Sequence, residues 1–286
     1  MANPLRIGTR GSPLALAQAQ MVADALRAAT GTETEIVPII TSGDVIQDRA
    51  LAEVGGKALW TKELDRALAD GRTDLSVHSM KDVESLRPET LVVAAMLERA
   101  DTKDRLIGAE SLDALPQGAR VGTSSPRRTA QLLARRPDLE CAIIRGNVQT
   151  RLAKIEAGEY DATLLAAAGL DRLGLALGVP LDLLPAPAQG AIGVEILTER
   201  QDLAELLGTI DHAPTHVAVR AERAFLAALG GDCHSAVAAL ATGTIVKAEI
   251  LSADGREIRS GQGEAEEVAR RLLAEASPAL RAMFGR

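Results

Sequence analysis

Aromatic side chains are nearly missing from this 286-residue chain: one Trp, one Tyr and two Phe, 1% of the whole. Without stacking platforms, and with a net charge of −7, nucleic acid is not an expected partner. Cysteine is as scarce. Cys141 and Cys233 are too few for a disulfide framework, and no C-x-x-C or Cys/His cluster points to a metal. No apolar run approaches the roughly 18 residues that a membrane span needs. The opening "MANPLRIGTR" lacks the basic-then-apolar order of a secretory signal. Together these absences lead to the expectation of a cytoplasmic protein with no membrane partner. Lysine is the last shortage. Of 32 basic residues only six are Lys, so the 26 arginines carry the positive charge, and their placement matters.

With 47% hydrophobic residues the chain can bury a substantial core, divided over two or three domains. Its first half alternates short apolar runs with helical patterns. "LRIGTR", "TEIVPII", "TDLSVHS" and "TLVVAAML" read as strands, and "TKELDRALAD" as a helix. "SPLALAQAQMVADALRAAT" is a helix with Ser12 as N-cap, Pro13 in its first turn and Gly31 beyond its end. This is the rhythm of an α/β domain with a mainly parallel sheet. The opening then recurs: "RIGTRGSPLALAQ" from Arg6 and "RVGTSSPRRTAQ" from Arg120 share the same ordered set, which implies a second domain of similar topology from about residue 101. "CAIIRGN", "VQTRLAKIEAG" and "YDATLLAAAGL" continue it as strand, helix and strand. "LPAPAQG" is a linker, and "AIGVEIL" a strand returning to the first domain. From about residue 213 the helix "VAVRAERAFLAAL", a hairpin turning at Asp254-Gly255 and the helix "EAEEVARRLLAEA" form a small α+β domain. The expected division is 1–99 plus 190–210, then 100–189, then 211–286.

Arg127 and Arg128 fall in the first turn of a helix, the wrong end for cations unless an anion docks there. Arg10 occupies the equivalent turn of the first repeat. Arg145 and Arg151 flank another strand-to-helix turn with Asn147 as N-cap, and Arg172 follows in "GLDRLGL". Arginines at the carboxyl ends of strands face the place where open α/β sheets bind ligands. Without a Walker or G-x-G-x-x-G pattern, several carboxylates are favoured over phosphates as their target. "SVHSMKDV" puts Lys81 and Asp82 directly after a strand, where a carboxylate can move protons or stabilise a cation. His78 reads as a strand residue and not a base. Pro214 between His212 and His216 disfavours a continuous helix there, and no metal site is expected. Cys141 reads as a buried small hydrophobe. Cys233, in the glycine-flanked loop "GGDCHSA", is a candidate for covalent chemistry.

In order along nearly the whole chain, "RIGTRGSPLAL", "GGKALWTKELDRAL", "DLSVHSMKDV", "VGTSSPRR", "RGNVQTRL", "EYDATLLAAAGLDRLGL", "PAQGAIGVE" and "AERAFLAALGGDC" resemble the porphobilinogen deaminases. The resemblance implies two periplasmic-binding-protein-like (type II) α/β domains plus a small C-terminal α+β domain. It implies a transferase of porphyrin and haem biosynthesis that couples four porphobilinogen molecules head to tail, releases ammonia and hydrolyses off hydroxymethylbilane. It implies a dipyrromethane cofactor, one per chain, in thioether linkage to Cys233, and a monomer. By matching segments, Asp82 and Lys81 would be catalytic and would also touch the cofactor. Thr123, Ser124, Ser125, Arg127, Arg128, Arg145 and Gly146 would bind the cofactor. Arg10, Ser12, Lys57, Arg145, Arg151, Arg172 and Gln189 would bind substrate. Departures from the pattern are Pro126 before the arginine pair, Glu84-Ser85 after Lys-Asp-Val, Trp60, and Asp232 before Cys233. The competing reading is a non-enzymatic two-lobed carboxylate-binding module, which leaves Lys81-Asp82, Cys233 and the third domain without a task.

Overall fold

The computed structural model of the chain describes residues 3–41, 61–231 and 235–284. β1 (Leu5–Arg10) leads into α1 (Pro13–Thr30). The helix starts where extended Ser12 accepts the Ala15 N–H at 3.3 Å and Pro13 has no N–H to lose. It stops where Gly31, at φ 72°, turns its N–H onto Arg27 O. β2 (Thr34–Ile39), α2 (Lys62–Ala69), β3 (Leu75–Ser79), a single 3₁₀ turn over Met80–Asp82, and β4 (Leu91–Met96) follow. Next come β5 (Asp104–Ile107), β6 (Arg120–Gly122), α3 (Pro126–Arg135), β7 (Glu140–Ala142), α4 (Val148–Glu156), β8 (Ala162–Ala166), α5 (Ala167–Arg172) and β9 (Val179–Leu181). The chain continues through β10 (Ile192–Leu197), α6 (Gln201–Gly208), α7 (Ala213–Leu229), β11 (Val237–Thr242), β12 (Ile245–Leu251), β13 (Ile258–Glu264), α8 (Ala265–Glu275) and α9 (Pro278–Arg281).

Two compact units result, Met1–Ala100 with Gly190–Val217 and Asp101–Gln189 with Ala218–Arg286. The first holds a five-stranded sheet in the order β2-β1-β3-β10-β4, in which β2, β1 and β3 are parallel neighbours. β10 runs antiparallel to both β3 and β4. Ile7, Val22, Leu26, Leu75, Val194 and Ile196 form its core. The second unit repeats the plan as β7-β6-β8-β5-β9, with β5 as the reversed strand between β8 and β9. The duplicated opening is therefore a duplicated topology. The expectation of mainly parallel sheets needs one correction, because the reversed strand turns two of the four pairings in each sheet antiparallel.

The second unit also carries an antiparallel β11-β12-β13 sheet whose own core gathers Phe225, Leu229, Val246, Ile250, Val268 and Leu272. It meets α3 through Ala130, Ala236 and Leu251, and Gly255 in the hairpin turn approaches the backbone of Ala130 and Ala134 too closely for any side chain. Two local readings are corrected. "YDATLLAAAGL" leaves the strand at Ala166 and becomes α5, because an Ala/Leu run suits a buried strand and a buried helix equally. The helix at 213 runs straight through Pro214, which lies in its first turn, where the missing N–H costs nothing.

Candidate active site

In the first unit Arg10 ends β1 and Ser12 caps α1, while Lys81 and Asp82 fill the 3₁₀ turn after β3. β1 and β3 are parallel neighbours, so both pairs lie at one carboxyl edge of the sheet. Asp82 is exposed and Lys81 half-buried. His78, on β3, is buried with Nε2 at 3.3 Å from Glu195 Oε2, as suits a strand residue holding a neighbour in place. Burial alone would push the Glu195 carboxyl up, but the neighbouring His78 and the hydrogen-bonded Arg87 outweigh it and hold it at about 2. Lys57 lies outside the described residues.

In the second unit the corresponding edge is built from three turns. After β6, the Thr123 hydroxyl accepts the Ser125 N–H at 3.1 Å, Ser124 Oγ donates to Ile144 O, and Ser125 caps α3 by accepting from Arg128 N at 3.4 Å. These three hydroxyls shape the turn. After β7, Gly146 takes φ 107° with Thr150 so close that no side chain fits. Asn147 caps α4, and Arg151 Nε donates to Gly146 O at 3.0 Å. Arg145 is half-buried, and burial lowers its guanidinium pKa. At the end of α5, burial lowers Arg172 to about 10, with Asp171 pulling the other way.

Arg127 and Arg128 are not solvated: they are 2% and 7% exposed. Both reach the fully buried Asp104, Arg127 Nη2 to Oδ2 and Arg128 Nη2 to Oδ1, each at 2.7 Å. Arg127 Nη1 also donates to Gln131 Oε1 and Leu184 O, and Arg128 Nη1 to Leu164 O. Gln189 turns its amide NH₂ onto Asp104 Oδ1 at 3.0 Å and Thr102 O at 2.7 Å. Two guanidiniums thus share one buried carboxylate, with Glu249 reached from Arg127 through Gln131. Among the described residues the Nε atoms of Arg127 and Arg128 are buried without a hydrogen-bond partner. Such donors cost free energy until an acceptor meets them.

Sequence reasoning did not find Asp104, Gln131 or Glu222. The buried Glu222 carboxylate accepts from Ala188 N at 2.6 Å and Ala241 N at 2.8 Å. Ala188, at φ 62°, is the one non-glycine among the described residues in the left-handed region. The turn it forms delivers Gln189 to Asp104. No spacing signal announces these contacts. Cys141, half-buried in β7, has its thiol pushed up to about 11 by burial, the opposite of activation. Cys233 lies outside the described residues.

Residues 5–205 match the family model described as porphobilinogen deaminase, dipyromethane cofactor binding domain, and residues 216–277 the one described as porphobilinogen deaminase, C-terminal domain. A protein named porphobilinogen deaminase from Sphingopyxis alaskensis is 56% identical, across 99% of this chain and 97% of its own length. Another of that name from Xanthomonas axonopodis pv. citri is 53% identical across 83% of this chain and 81% of its own. Among solved structures, an ABC transporter periplasmic substrate-binding protein from Coxiella burnetii is 14% identical with a TM-score of 0.46, covering 77% of this chain and 96% of that one.

Proposed function

The chain belongs to the porphobilinogen deaminase family, and on that premise we propose how its own residues divide the work. It is a transferase of tetrapyrrole synthesis, a hydroxymethylbilane synthase with a dipyrromethane cofactor. When bound, that cofactor supplies the pyrrole end to which porphobilinogen units are joined head to tail, with loss of ammonia, until water releases the linear tetrapyrrole.

The observation that carries the assignment is the buried arginine pair on one carboxylate. Cofactor and substrate bear acetate and propionate groups, and a site with two buried guanidiniums on one carboxylate and two unmet Nε–H donors suits a carboxylate. Arg127, Arg128 and Arg145 hold cofactor carboxylates. Thr123, Ser124, Ser125 and Gly146 fix the turns that aim them, and Cys233 is the covalent anchor. Arg10, Lys57, Arg151 and Arg172 take the substrate's carboxylates, with Ser12 holding the start of α1. Gln189 supports this set through Asp104, since both its amide hydrogens are spent on Thr102 and Asp104.

Asp82 donates a proton to the departing amine and then, as carboxylate, balances positive charge at the reacting centre. Its exposure after β3 leaves it free to meet a substrate, with Lys81 beside it in the same turn. The chain divides into 1–99 with 190–210, then 100–189, then 211–286 as a third domain, a division supported by the separate core around Phe225 and Val246. The enzyme works as a cytoplasmic monomer; no helix among the described residues is long and apolar enough to cross a membrane.

The test is the intact mass of the denatured protein. A mass excess of two linked pyrroles on the Cys233 peptide is expected, and Cys233→Ser should lose it. An unmodified mass that persists after incubation with porphobilinogen would overturn the anchor. Asp82→Asn should keep the pyrroles and lose turnover by about 10²-fold or more; near-parental turnover removes its catalytic role.

A further inference from the structure

We propose that Arg87 is a positioning residue for the Asp82 carboxylate, acting through the short turn that carries it; the proposal rests on the catalytic reading of Asp82 above. The turn is held on each side. Upstream, Met80 is 1% exposed, donates its N–H to Ala191 O at 3.1 Å and packs over Gly193 of β10, where no Cβ would fit. Downstream, Val83 is buried and returns its N–H to Met80 O, and the Glu84 carboxylate accepts from Arg87 Nη1 at 2.8 Å and from Thr61 Oγ1 at 3.1 Å.

Arg87 is the centre of that second attachment. Its five N–H groups match five acceptors. Nε and Nη2 grip both oxygens of Glu195 on β10 at 2.9 Å, Nη2 reaches Asp65 of α2 at 2.5 Å, and Nη1 takes Glu84 and, at 3.3 Å, the Thr61 hydroxyl. Its side chain is 9% exposed and that of Glu195 is fully buried. Both attachments of the Asp82 turn therefore rest on β10, the first by packing and the second through one guanidinium. Without Arg87, three carboxylates converge with His78 alone to face Glu195. Lysine keeps the charge but has one nitrogen, which cannot address four groups on different elements. Only Val83 separates Glu84 from Asp82, so slack at Glu84 passes directly to the catalytic carboxylate.

The experiment compares Arg87→Lys, Arg87→Gln and Glu84→Gln holoenzymes with the parent for kcat, KM for porphobilinogen, thermal midpoint and bound-pyrrole mass. Glu84→Gln leaves the Arg87–Glu195–Asp65 core intact and covers the case in which Arg87→Gln does not fold. The expected result is a kcat lower by about tenfold or more in the Arg87 variants. Glu84→Gln should lose several-fold, and KM should stay within about twofold, because substrate contacts are untouched. The loss should persist at temperatures where each variant is fully folded. A kcat within about twofold of parent in Arg87→Lys and Glu84→Gln overturns the proposal, and so does a loss that vanishes once the folded fraction is restored. Asp82→Asn measured alongside separates the two readings. If it is inert while the Arg87 variants are unimpaired, only the positioning role fails; if it turns over normally, the assignment of Asp82 fails first.

Discussion

Asp104 is fully buried, yet its carboxyl is held well below the ordinary carboxylate range. Burial alone would push it up; the guanidiniums of Arg128 and Arg127, each hydrogen-bonded to it, more than reverse that. The carboxylate is therefore the counter-charge that lets two arginines stand side by side in a buried turn. Asp104→Asn should leave them uncompensated and cost on the order of 3–5 kcal/mol, the penalty for breaking a buried pair from one side. A denaturant melt of the holo variant reads this, and a loss below about 1 kcal/mol would mean that the arginines are neutralised from elsewhere. The arginine pair was legible because its position at a helix N-terminus is anomalous by itself. Asp104 was not, because it stands more than twenty residues earlier on a reversed strand, and no period or spacing relates the two. The sequence reading accordingly expected an anion at the arginines and missed the one built into the fold.

At the scale of elements, what could be read was what is encoded within four residues. Ser12 and Asn147 each cap a helix as expected, and Ser125 does the same at α3, because a cap is a contact between near neighbours. β5, β9 and β11 were not identified, since three or four residues, or an alanine-rich run such as "VAALAT", become strands only when a partner pairs with them. The turn through Ala188 is the same case. Its left-handed backbone is enforced from outside by Glu222, and alanine is not the residue that a turn of this kind selects. A left-handed alanine carries roughly 1–2 kcal/mol of strain. Glycine would release it and lose part of the gain, about 0.4–1 kcal/mol, to its freer unfolded chain. Ala188→Gly should therefore be stabilising by up to about 1 kcal/mol in an equilibrium melt. A clear loss of stability would show that the methyl group's packing, and not the Glu222 hydrogen bond, holds the turn.

For the whole molecule, the repeated motif in the sequence foretold the repeated sheet, and the returning "AIGVEIL" strand foretold that the first unit is assembled from two stretches of chain. The charge architecture was hidden because it is non-local: Arg87 meets Glu195 across 108 residues, and Gln131 meets Glu249 across 118. Among the described residues each unit buries one carboxylate in guanidinium contacts, Glu195 in the first and Asp104 in the second, and this sets how the protein responds to acid. Both carboxyls are depressed in the folded state, so each unfolded chain binds its proton more readily than the native one. Their contribution is complete above the unfolded value, about 4.5 for Glu195, and is lost as the pH falls through the native value of about 2. Asp65, raised by burial, works in the opposite sense and only blunts the slope. The thermal midpoint should accordingly fall from about pH 5 down to about pH 2. Glu195→Gln should begin lower, because Arg87 and His78 lose their anion, and then change less over the same interval. A parental slope in that variant would place the acid sensitivity elsewhere. Flattening in Asp104→Asn as well would mean that the two buried anions, one in each unit, together set the acid limit of the fold.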